Sequence, residues 1–244
     1  MRGDSGFPVR IRFAKHGKVR FISHRDVARA FERAFRIESL PLLFTQGFSP
    51  RPKVSFGLAL SVGHESDAEY LDFELVSEIP LAPLAAAITR ALPVGIDVVA
   101  VTALADRAPA LQEAVSAVEW EIELTTEGDA MPASPEVVLE RVEALLAAPT
   151  LVVERVRKGR TATEDIRPTI RRIAVLGSTE HGTLIGVELA TRPTSVRPAE
   201  LVAALGTEFR EGRVRRTRQW IERGRERFEP LTADPRIALE ARAS

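Results

Sequence analysis

Short segments in which apolar and charged residues alternate one by one are the feature that most limits the fold of this chain. Residues 9–13 alternate Val, Ile and Phe with two arginines, and residues 118–124 alternate Val, Trp, Ile and Leu with three glutamates. A side-chain period of two is that of a strand with one buried side and one solvent-facing side. Segments with helical spacing stand between such strands, so we predict an α+β fold.

The first half of the sequence predicts one complete structural unit, residues 1–105. Its predicted elements, in chain order, are a strand at 9–13, a helix at 24–36, strand pieces at 40–44 and 54–60, a strand at 68–75, a helix at 81–92 and a strand at 96–101. The two strand pieces flank a loop that two prolines stiffen. The order is that of the ferredoxin-like βαββαβ plan.

The same order recurs in the second half, after a linker near residues 105–110. The predicted elements there are strands at 118–124, 151–157, 183–190 and 214–221, with helices at 135–147 and 198–205. We therefore predict two ferredoxin-like domains in tandem, the second over residues 114–223. A basic insertion at about 158–176 is predicted to form a hairpin arm, and the polar residues 224–244 are predicted to form a loosely ordered tail.

Composition removes several classes of chemistry. The chain has no cysteine, which excludes disulfides, thiolate nucleophiles and cysteine-ligated iron–sulfur clusters. It has no GxxxxGK[ST], GxGxxG, HExxH or GxSxG motif, so we predict no cofactor and no metal. No apolar run reaches the ~20 residues that span a bilayer, and the first residues lack the apolar core of a signal peptide. We therefore expect a cytoplasmic protein that does not bind membranes.

The charges are segregated along the chain, although they sum to zero. Residues 1–53 hold 12 Lys and Arg against 4 Asp and Glu, residues 54–150 hold 3 against 17, and residues 151–244 hold 19 against 13. If the basic segments stay apart from the acidic one in space, they form a polyanion site; if the segments fold against each other, they neutralise one another.

Three basic surfaces emerge from these segments: the turn and helix of residues 15–36, the loop of residues 46–53 and the predicted arm. At about 100° per residue, four arginines of the helix fall within roughly 80° of one another, opposite its apolar stripe. Ser23 and Asp26 are predicted to cap this helix. The predicted RNA- or anion-binding residues are Lys15, Lys18, Arg20, Arg25, Arg29, Arg33, Arg36, Arg51, Lys53, Lys158, Arg160, Arg167, Arg171 and Arg172.

Strand arginines are expected to be neutralised instead. In a ferredoxin-like sheet the first and third strands are neighbours, which sets Arg10 and Arg12 across from Asp72 and Glu74. The same plan sets the glutamates at 119, 121 and 123 near the arginines at 155 and 157. Because no aromatic pair lies on either exposed sheet face, recognition of the RNA-recognition-motif type is not favoured.

Two histidines flank the turn before the first helix. His16 and His24 are candidates for a general acid and base acting on a ribose 2′-hydroxyl, since imidazole titrates near neutral pH. The alternative is that both are structural turn residues. His64 and His181 have no ligand partner at a metal-binding spacing and stay unassigned.

Several motifs resemble a known family. They are Lys-His-Gly-Lys at 15–18, Phe-Ile-Ser-His-Arg-Asp at 21–26, Gln-Gly-Phe-Ser-Pro-Arg-Pro-Lys at 46–53 and Asp-Ile-Arg-Pro at 165–168. Over about residues 8–220 the chain resembles the radical-SAM-associated family of unknown function. Members occur as the C-terminal domain of B12-binding radical SAM proteins, or as free-standing actinobacterial proteins often encoded beside an E/G-type ribonuclease. The resemblance implies context and no catalytic residues, and any radical chemistry belongs to a separate partner.

Three functions follow as hypotheses. The first is a non-catalytic accessory protein that binds RNA or a ribonucleoprotein, or that docks onto a radical SAM enzyme or an E/G-type ribonuclease. The second is a metal-independent endoribonuclease that uses His16 or His24. The third is a protein-only scaffold in which the acidic segment between residues 65 and 143 docks a basic partner.

Overall fold

A computed structural model describes residues 6–104, 108–126, 133–157 and 160–232, without the side chains of residues 156, 157 and 160. Strands and helices alternate along these ranges and most of the core is built on sheet, which confirms the predicted α+β class. The chain divides into two compact units, one made of residues 1–115 with 220–244 and the other of residues 116–219. None of the helices in the described ranges has the length and apolar character that crossing a membrane requires.

The first unit, unit 1, is built of antiparallel strands with its two longer helices packed against one face. Its elements are β1 (Phe7–Lys15), a 3₁₀ turn (Gly17–Phe21), α1 (His24–Ile37), β2 (Val54–Phe56), β3 (Glu65–Leu75), α2 (Leu84–Ala91), β4 (Ile96–Ala103) and the short α3 (Leu111–Ala114). The strands β4, β1 and β3 are neighbours in that order, and β2 pairs with β3. Helix α1 begins at the residue that the sequence predicts.

The apolar stripe of α1 forms the centre of the core of unit 1. Val27, Phe31, Ala34 and Phe35 are buried, and the ring of Phe31 lies 4.8 Å from the ring of Phe13 on β1. Burying side chains of this size stabilises a fold by roughly 1.5–3 kcal/mol each. The stripe fixes the rotation of α1 about its axis, so the opposite side of the helix faces solvent.

The predicted cap of α1 is confirmed. The Ser23 hydroxyl accepts a hydrogen bond from the Asp26 backbone N–H at 3.2 Å, and the Asp26 carboxylate accepts one from the Ser23 backbone N–H at 3.3 Å. This reciprocal capping box satisfies two backbone donors that the helix itself cannot pair. The Ser23 bond lowers the pKa of Asp26, because it stabilises the ionised carboxylate.

Cross-strand neutralisation is confirmed for Arg10 and takes another form for Arg12. Arg10 lies opposite Asp72 in the register of β1 and β3, and its Nε and Nη2 donate to the two carboxylate oxygens at 2.7 and 2.8 Å. The prediction that Arg12 pairs with Glu74 was wrong, since Arg12 lies opposite Tyr70 in the register. Arg12 instead donates to Glu229 at 2.8 Å, because the chain returns to this face after its last long strand.

Unit 2 consists of antiparallel strands with two helices. The elements of this part of the chain are β5 (Val115–Thr126), α4 (Pro135–Ala147), β6 (Val152–Arg157), β7 (Arg160–Asp165), a 3₁₀ turn (Arg167–Thr169), β8 (Ile170–Ser178), β9 (Thr183–Ala190), α5 (Pro198–Leu205), β10 (Phe209–Arg223) and β11 (Glu226–Phe228). The strand order is β10, β5, β9, β8. The bounds of α4, β9 and α5 agree with the sequence prediction.

The predicted second strand of this sheet, 151–157, lies elsewhere. β6 pairs with β7 in a separate two-stranded hairpin, and β8 pairs with β9 in the sheet. The predicted hairpin arm therefore begins one strand earlier than expected, with β6. A local pairing across two residues closes a far shorter loop than pairing β6 with β9, which favours the hairpin.

The described part of the predicted loose tail contains regular structure. β11 pairs with the end of β10, with Ile221 opposite Phe228. The Arg10 guanidinium donates to the Pro230 carbonyl at 3.0 Å. These contacts hold residues 226–230 in place within unit 1. Residues 233–244 lie outside the described part of the chain.

Candidate nucleic-acid interface

The solvent side of α1 is a row of exposed arginines. Arg25, Arg29, Arg33 and Arg36 are all exposed, because the apolar stripe takes the other side of the helix. Glu32 is also exposed and lies within the row, and Asp26 lies at its edge, 3.4 Å from Arg29 Nη1. We call this set of four arginines the arginine row. It keeps a positive balance against the carboxylates beside it.

The turn before α1 has its cations at different depths. Lys18 is exposed, and Arg20 lies 3.8 Å from the buried Glu65 carboxylate. Lys15 was predicted to contact RNA but is only 3% exposed, and its amino group donates to the carbonyls of Arg20 and Ile22, both at 3.3 Å. Burial lowers the pKa of Lys15, and the Glu69 carboxylate opposes that shift. Lys15 therefore fixes the turn from inside, and we leave it out of the surface.

The start of α1 does not form an open phosphate site. Backbone N–H groups at a helix start attract anions, but the Asp26 carboxylate already accepts hydrogen bonds there. A phosphate at this end would meet a like charge. The arrangement favours binding along the side of α1, at the arginine row.

The loop of residues 46–53 presents one of its two predicted cations. Arg51 is exposed, whereas Lys53 Nζ lies 3.2 Å from the Glu74 carboxylate. Two hydrogen bonds between Thr45 and Arg51 close the loop at its base. The Thr45 N–H donates to the Arg51 carbonyl at 2.8 Å, and the Arg51 N–H donates to the Thr45 hydroxyl at 3.1 Å. Arg51 thus stands on a braced loop.

The cations predicted for the arm are largely engaged with their own unit. Arg167 donates to the carbonyls of Leu146 and Ile170 at 2.9 and 3.4 Å. Arg171 lies 3.5 Å from the Glu188 carboxylate, and Arg172 lies 3.9 Å from Glu119 while staying largely exposed. Lys158 and the side chain of Arg160 lie outside the described residues. The arm is a weaker polyanion surface than the sequence suggests.

Carboxylates of the acidic middle segment are bonded inside their own units. The expected pairing of residues 119–123 with Arg155 and Arg157 was wrong for Arg155, which bonds Glu164 and Glu200, and the side chain of residue 157 is not described. The bonded carboxylates and their partners are Asp67 with His16, Asp72 with Arg10, Glu74 with Lys53, Glu119 with Arg172 and Glu121 with Arg215. These pairs neutralise part of the acidic segment, while Glu136, Glu140 and Glu143 on α4 are exposed, so docking of a basic partner through this segment stays a prediction.

The two candidate catalytic histidines have different surroundings. His16 Nε2 lies 2.9 Å from Asp67 Oδ1, and both side chains are about one-third exposed. The His24 ring lies edge-on to Phe56, 5.0 Å away, beside a cavity of about 10 Å³ that Lys15 and Glu69 also line. A cavity of that volume has room for about one water molecule. Only His16 has a partner of the kind that orients a general base.

Two exposed aromatic side chains, on the turn before α1 and on the loop of residues 46–53, were missed in the sequence. Phe21 is 62% exposed and Phe48 is fully exposed. The Arg20 guanidinium lies over the Phe21 ring, 4.7 Å from its centroid. The available signal was the position of each phenylalanine in a polar turn or loop, outside any apolar periodicity.

The sequence matches one family model and no curated protein. Residues 9–198 match the model of a family described as an uncharacterized protein conserved in bacteria, DUF2344. The sequence matches none of the curated proteins with which it was compared.

Solved structures resemble the fold at low sequence identity. A Cbf5-Nop10-Gar1 complex matches with a TM-score of 0.50 and 14% identity over 90% of this chain, which spans 54% of the matched chain. An H/ACA RNP bound to a substrate RNA matches with a TM-score of 0.46 and 14% identity over 90% of this chain and 53% of the matched chain. An archaeal box H/ACA sRNP Nop10-Cbf5 complex matches with a TM-score of 0.45 and 15% identity over 88% of this chain and 48% of the matched chain. The first shows a likeness of fold; the scores of the other two are too low for an argument. This chain spans about half the length of each matched chain.

Proposed function

Because the chain belongs to DUF2344, a family of uncharacterized proteins conserved in bacteria, no activity comes with the family, and we propose from its own geometry that it is an RNA-binding accessory protein. The surface that contacts RNA in this proposal is the arginine row, extended by Lys18 and Arg51. The observation that supports it is the exposure of all four arginines on one side of one helix.

Guanidinium groups suit this role because of their charge and shape. Arginine stays ionised at all relevant pH values and donates two parallel hydrogen bonds to a phosphate. Each phosphate that a cation neutralises releases condensed counterions, so affinity for RNA falls steeply with salt. The arginine row runs from Arg25 to Arg36 of this 14-residue helix and offers a series of such contacts over about 17 Å.

The test is binding of bulk tRNA, measured by fluorescence anisotropy at about 50 and 200 mM salt. The Arg29→Glu, Arg33→Glu double variant is expected to bind at least about tenfold more weakly at the lower salt, and with a shallower salt dependence. The Glu32→Lys variant is expected to bind more tightly, a gain that misfolding does not produce.

Arg225→Glu is the matched control, since Arg225 is exposed in the turn between β10 and β11. Per residue it makes the same charge change outside α1, half the total of the double variant, and it is expected to leave affinity within about twofold. Absence of binding by the wild-type protein at low salt, or equal losses in the control and the double variant, contradicts the proposal.

The partner proposed from the sequence motifs is a radical SAM enzyme or an E/G-type ribonuclease, to which this protein brings RNA. Co-purification before and after nuclease treatment distinguishes the two modes. A complex that survives nuclease treatment is held by protein contacts, and one that is lost is held through RNA. The tandem ferredoxin-like plan also stays a proposal, supported in unit 1 by the strand order β4, β1, β3, β2.

A metal-independent endoribonuclease is the second candidate, and the His16–Asp67 contact favours it. A carboxylate beside imidazole orients the ring and stabilises its protonated form. This function predicts RNA cleavage in excess EDTA, abolished in a His16→Ala variant and retained in a His181→Ala variant. Intact RNA after prolonged incubation with the wild-type protein removes it.

A further inference from the structure

We infer that the RNA segment bound along α1 is single-stranded, with unpaired bases stacked on Phe21 and Phe48. The inference rests on the proposed function and specifies the form of its ligand. It follows from two exposed aromatic rings, one on the turn before α1 and one on the loop of residues 46–53 after it, on segments that the fold holds in place.

Phe21 is presented by a braced turn. The backbone of the turn accepts hydrogen bonds from the Lys15 amino group and from the Gly63 N–H, the latter at 2.8 Å to the Arg20 carbonyl. The Gly17 N–H donates to the Glu65 carboxylate at 2.8 Å. With its backbone fixed and the Arg20 guanidinium over the ring, Phe21 offers a base both an aromatic face and an adjacent positive charge.

Phe48 is presented by the braced loop that carries Arg51. Phe44 and Pro52 pair at the base of this loop, and two prolines restrict its backbone. A fully exposed phenylalanine has no packing role within the chain, and burying it against a ligand removes apolar surface from water. A base stacked on Phe48 would do so while its phosphate meets Arg51.

The two rings are carried by the segments that precede and follow α1 in the chain. Phe21 comes three residues before the first residue of the helix. The loop with Phe48 leaves the sheet beside the last turn of α1, because Leu40 bonds back to the Phe35 carbonyl and Leu42 pairs with Leu75 at the end of β3. The arginine row extends over about 17 Å of the helix between these two segments. Such a series of cations between stacking platforms is the arrangement that binds single strands.

Among the described residues, the strands β1 and β3 present no stacking platform on the sheet face opposite α1. Arg10 and Arg12 on that face are held by Asp72 and Glu229, and Tyr70 is buried. A duplex keeps its bases paired and stacked, so it meets the arginines and leaves both phenylalanines unused. The structure therefore favours a strand whose bases are free.

The experiment compares a single-stranded RNA of about 12 nucleotides with the same strand annealed to its complement, both measured by anisotropy at low salt. The wild-type protein is expected to prefer the single strand by at least about tenfold. Phe21→Ala and Phe48→Ala are each expected to weaken single-strand binding by roughly 5- to 100-fold and to leave duplex binding unchanged.

The control is Leu176→Ala, which removes an exposed apolar side chain of unit 2, and its affinities are expected to match those of the wild type. Equal affinity of the wild type for both RNAs, or phenylalanine variants that bind the single strand normally, overturns this inference but not RNA binding itself. Failure of both RNAs to bind at low salt overturns the proposed function. Thermal melts confirm that each variant folds.

Discussion

The basic helix of unit 1 and the basic arm of unit 2 are both rich in arginine, but they differ in how far those arginines are exposed to solvent. On α1 the arginines are exposed along one side of a helix. On the arm, Arg155 is buried and bonds Glu164, Glu200 and the Ser195 carbonyl. A helix directs every residue off its apolar stripe into solvent, whereas the arm is a hairpin that folds back onto its own unit. Basic composition alone therefore does not locate a polyanion surface.

The largest expected effect tests the buried side of this comparison. Arg155→Ala leaves the carboxylates of Glu164 and Glu200 without their shared cation, and we expect a loss of about 3–5 kcal/mol in the free energy of unfolding. Denaturant titration measures it. Arg141→Ala is the matched control, because its pair with Glu208 is about half exposed and worth about 0–1 kcal/mol. A loss in Arg155→Ala no greater than in the control contradicts the structural role of Arg155.

A smaller effect on stability is expected at the start of the exposed helix α1. Ser23→Ala removes the cap of α1, and we expect a loss of about 1 kcal/mol in the free energy of unfolding. Because the pKa of Asp26 is lowered in the folded state, its contribution is present above the unfolded pKa of about 3.9 and is lost as pH falls through the folded pKa.

The difference between Ser23→Ala and the wild type is therefore expected to shrink below about pH 4. Denaturant titrations at neutral and acidic pH measure it. A difference that stays constant with pH assigns the effect to the hydroxyl alone and removes the role given to Asp26.

The smallest expected effect concerns the arm as a binding surface. Arg171→Ala and Arg172→Ala remove cations that face Glu188 and Glu119, so each is expected to change tRNA affinity by less than about twofold, because pairing already screens the charge. Anisotropy under the conditions used for the arginine row measures it. A loss as large as that of the Arg29→Glu, Arg33→Glu variant would extend the binding surface to unit 2.

Much of the fold could be predicted from local pattern. The start of α1 at His24, its capping box and the bounds of α4 all follow from residues within a few positions of one another. Predicting the Arg10–Asp72 pair required one further assumption, that the first and third strands are neighbours in the sheet. The prediction failed for β6, which was expected to join the main sheet. It pairs instead with β7, the strand that is nearer in sequence.

The candidate site was predicted in part for the same reason. Helical spacing alone is enough to group Arg25, Arg29, Arg33 and Arg36 on the side opposite the apolar stripe. Spacing could not reveal that Lys15 is buried, because at this residue β1 pairs with Ser66 of β3 and Ile96 of β4, which are remote in sequence.

By itself, the sequence determined which residues share a face of each helix or strand, because the periods of 3.6 and 2 are properties of the local backbone. Only the tertiary structure decided which of those faces meet an oppositely charged one. Charge pairing depends on distances of a few ångströms between residues that are remote in sequence. That is why the arginines of α1 stay at the surface while Arg155 does not.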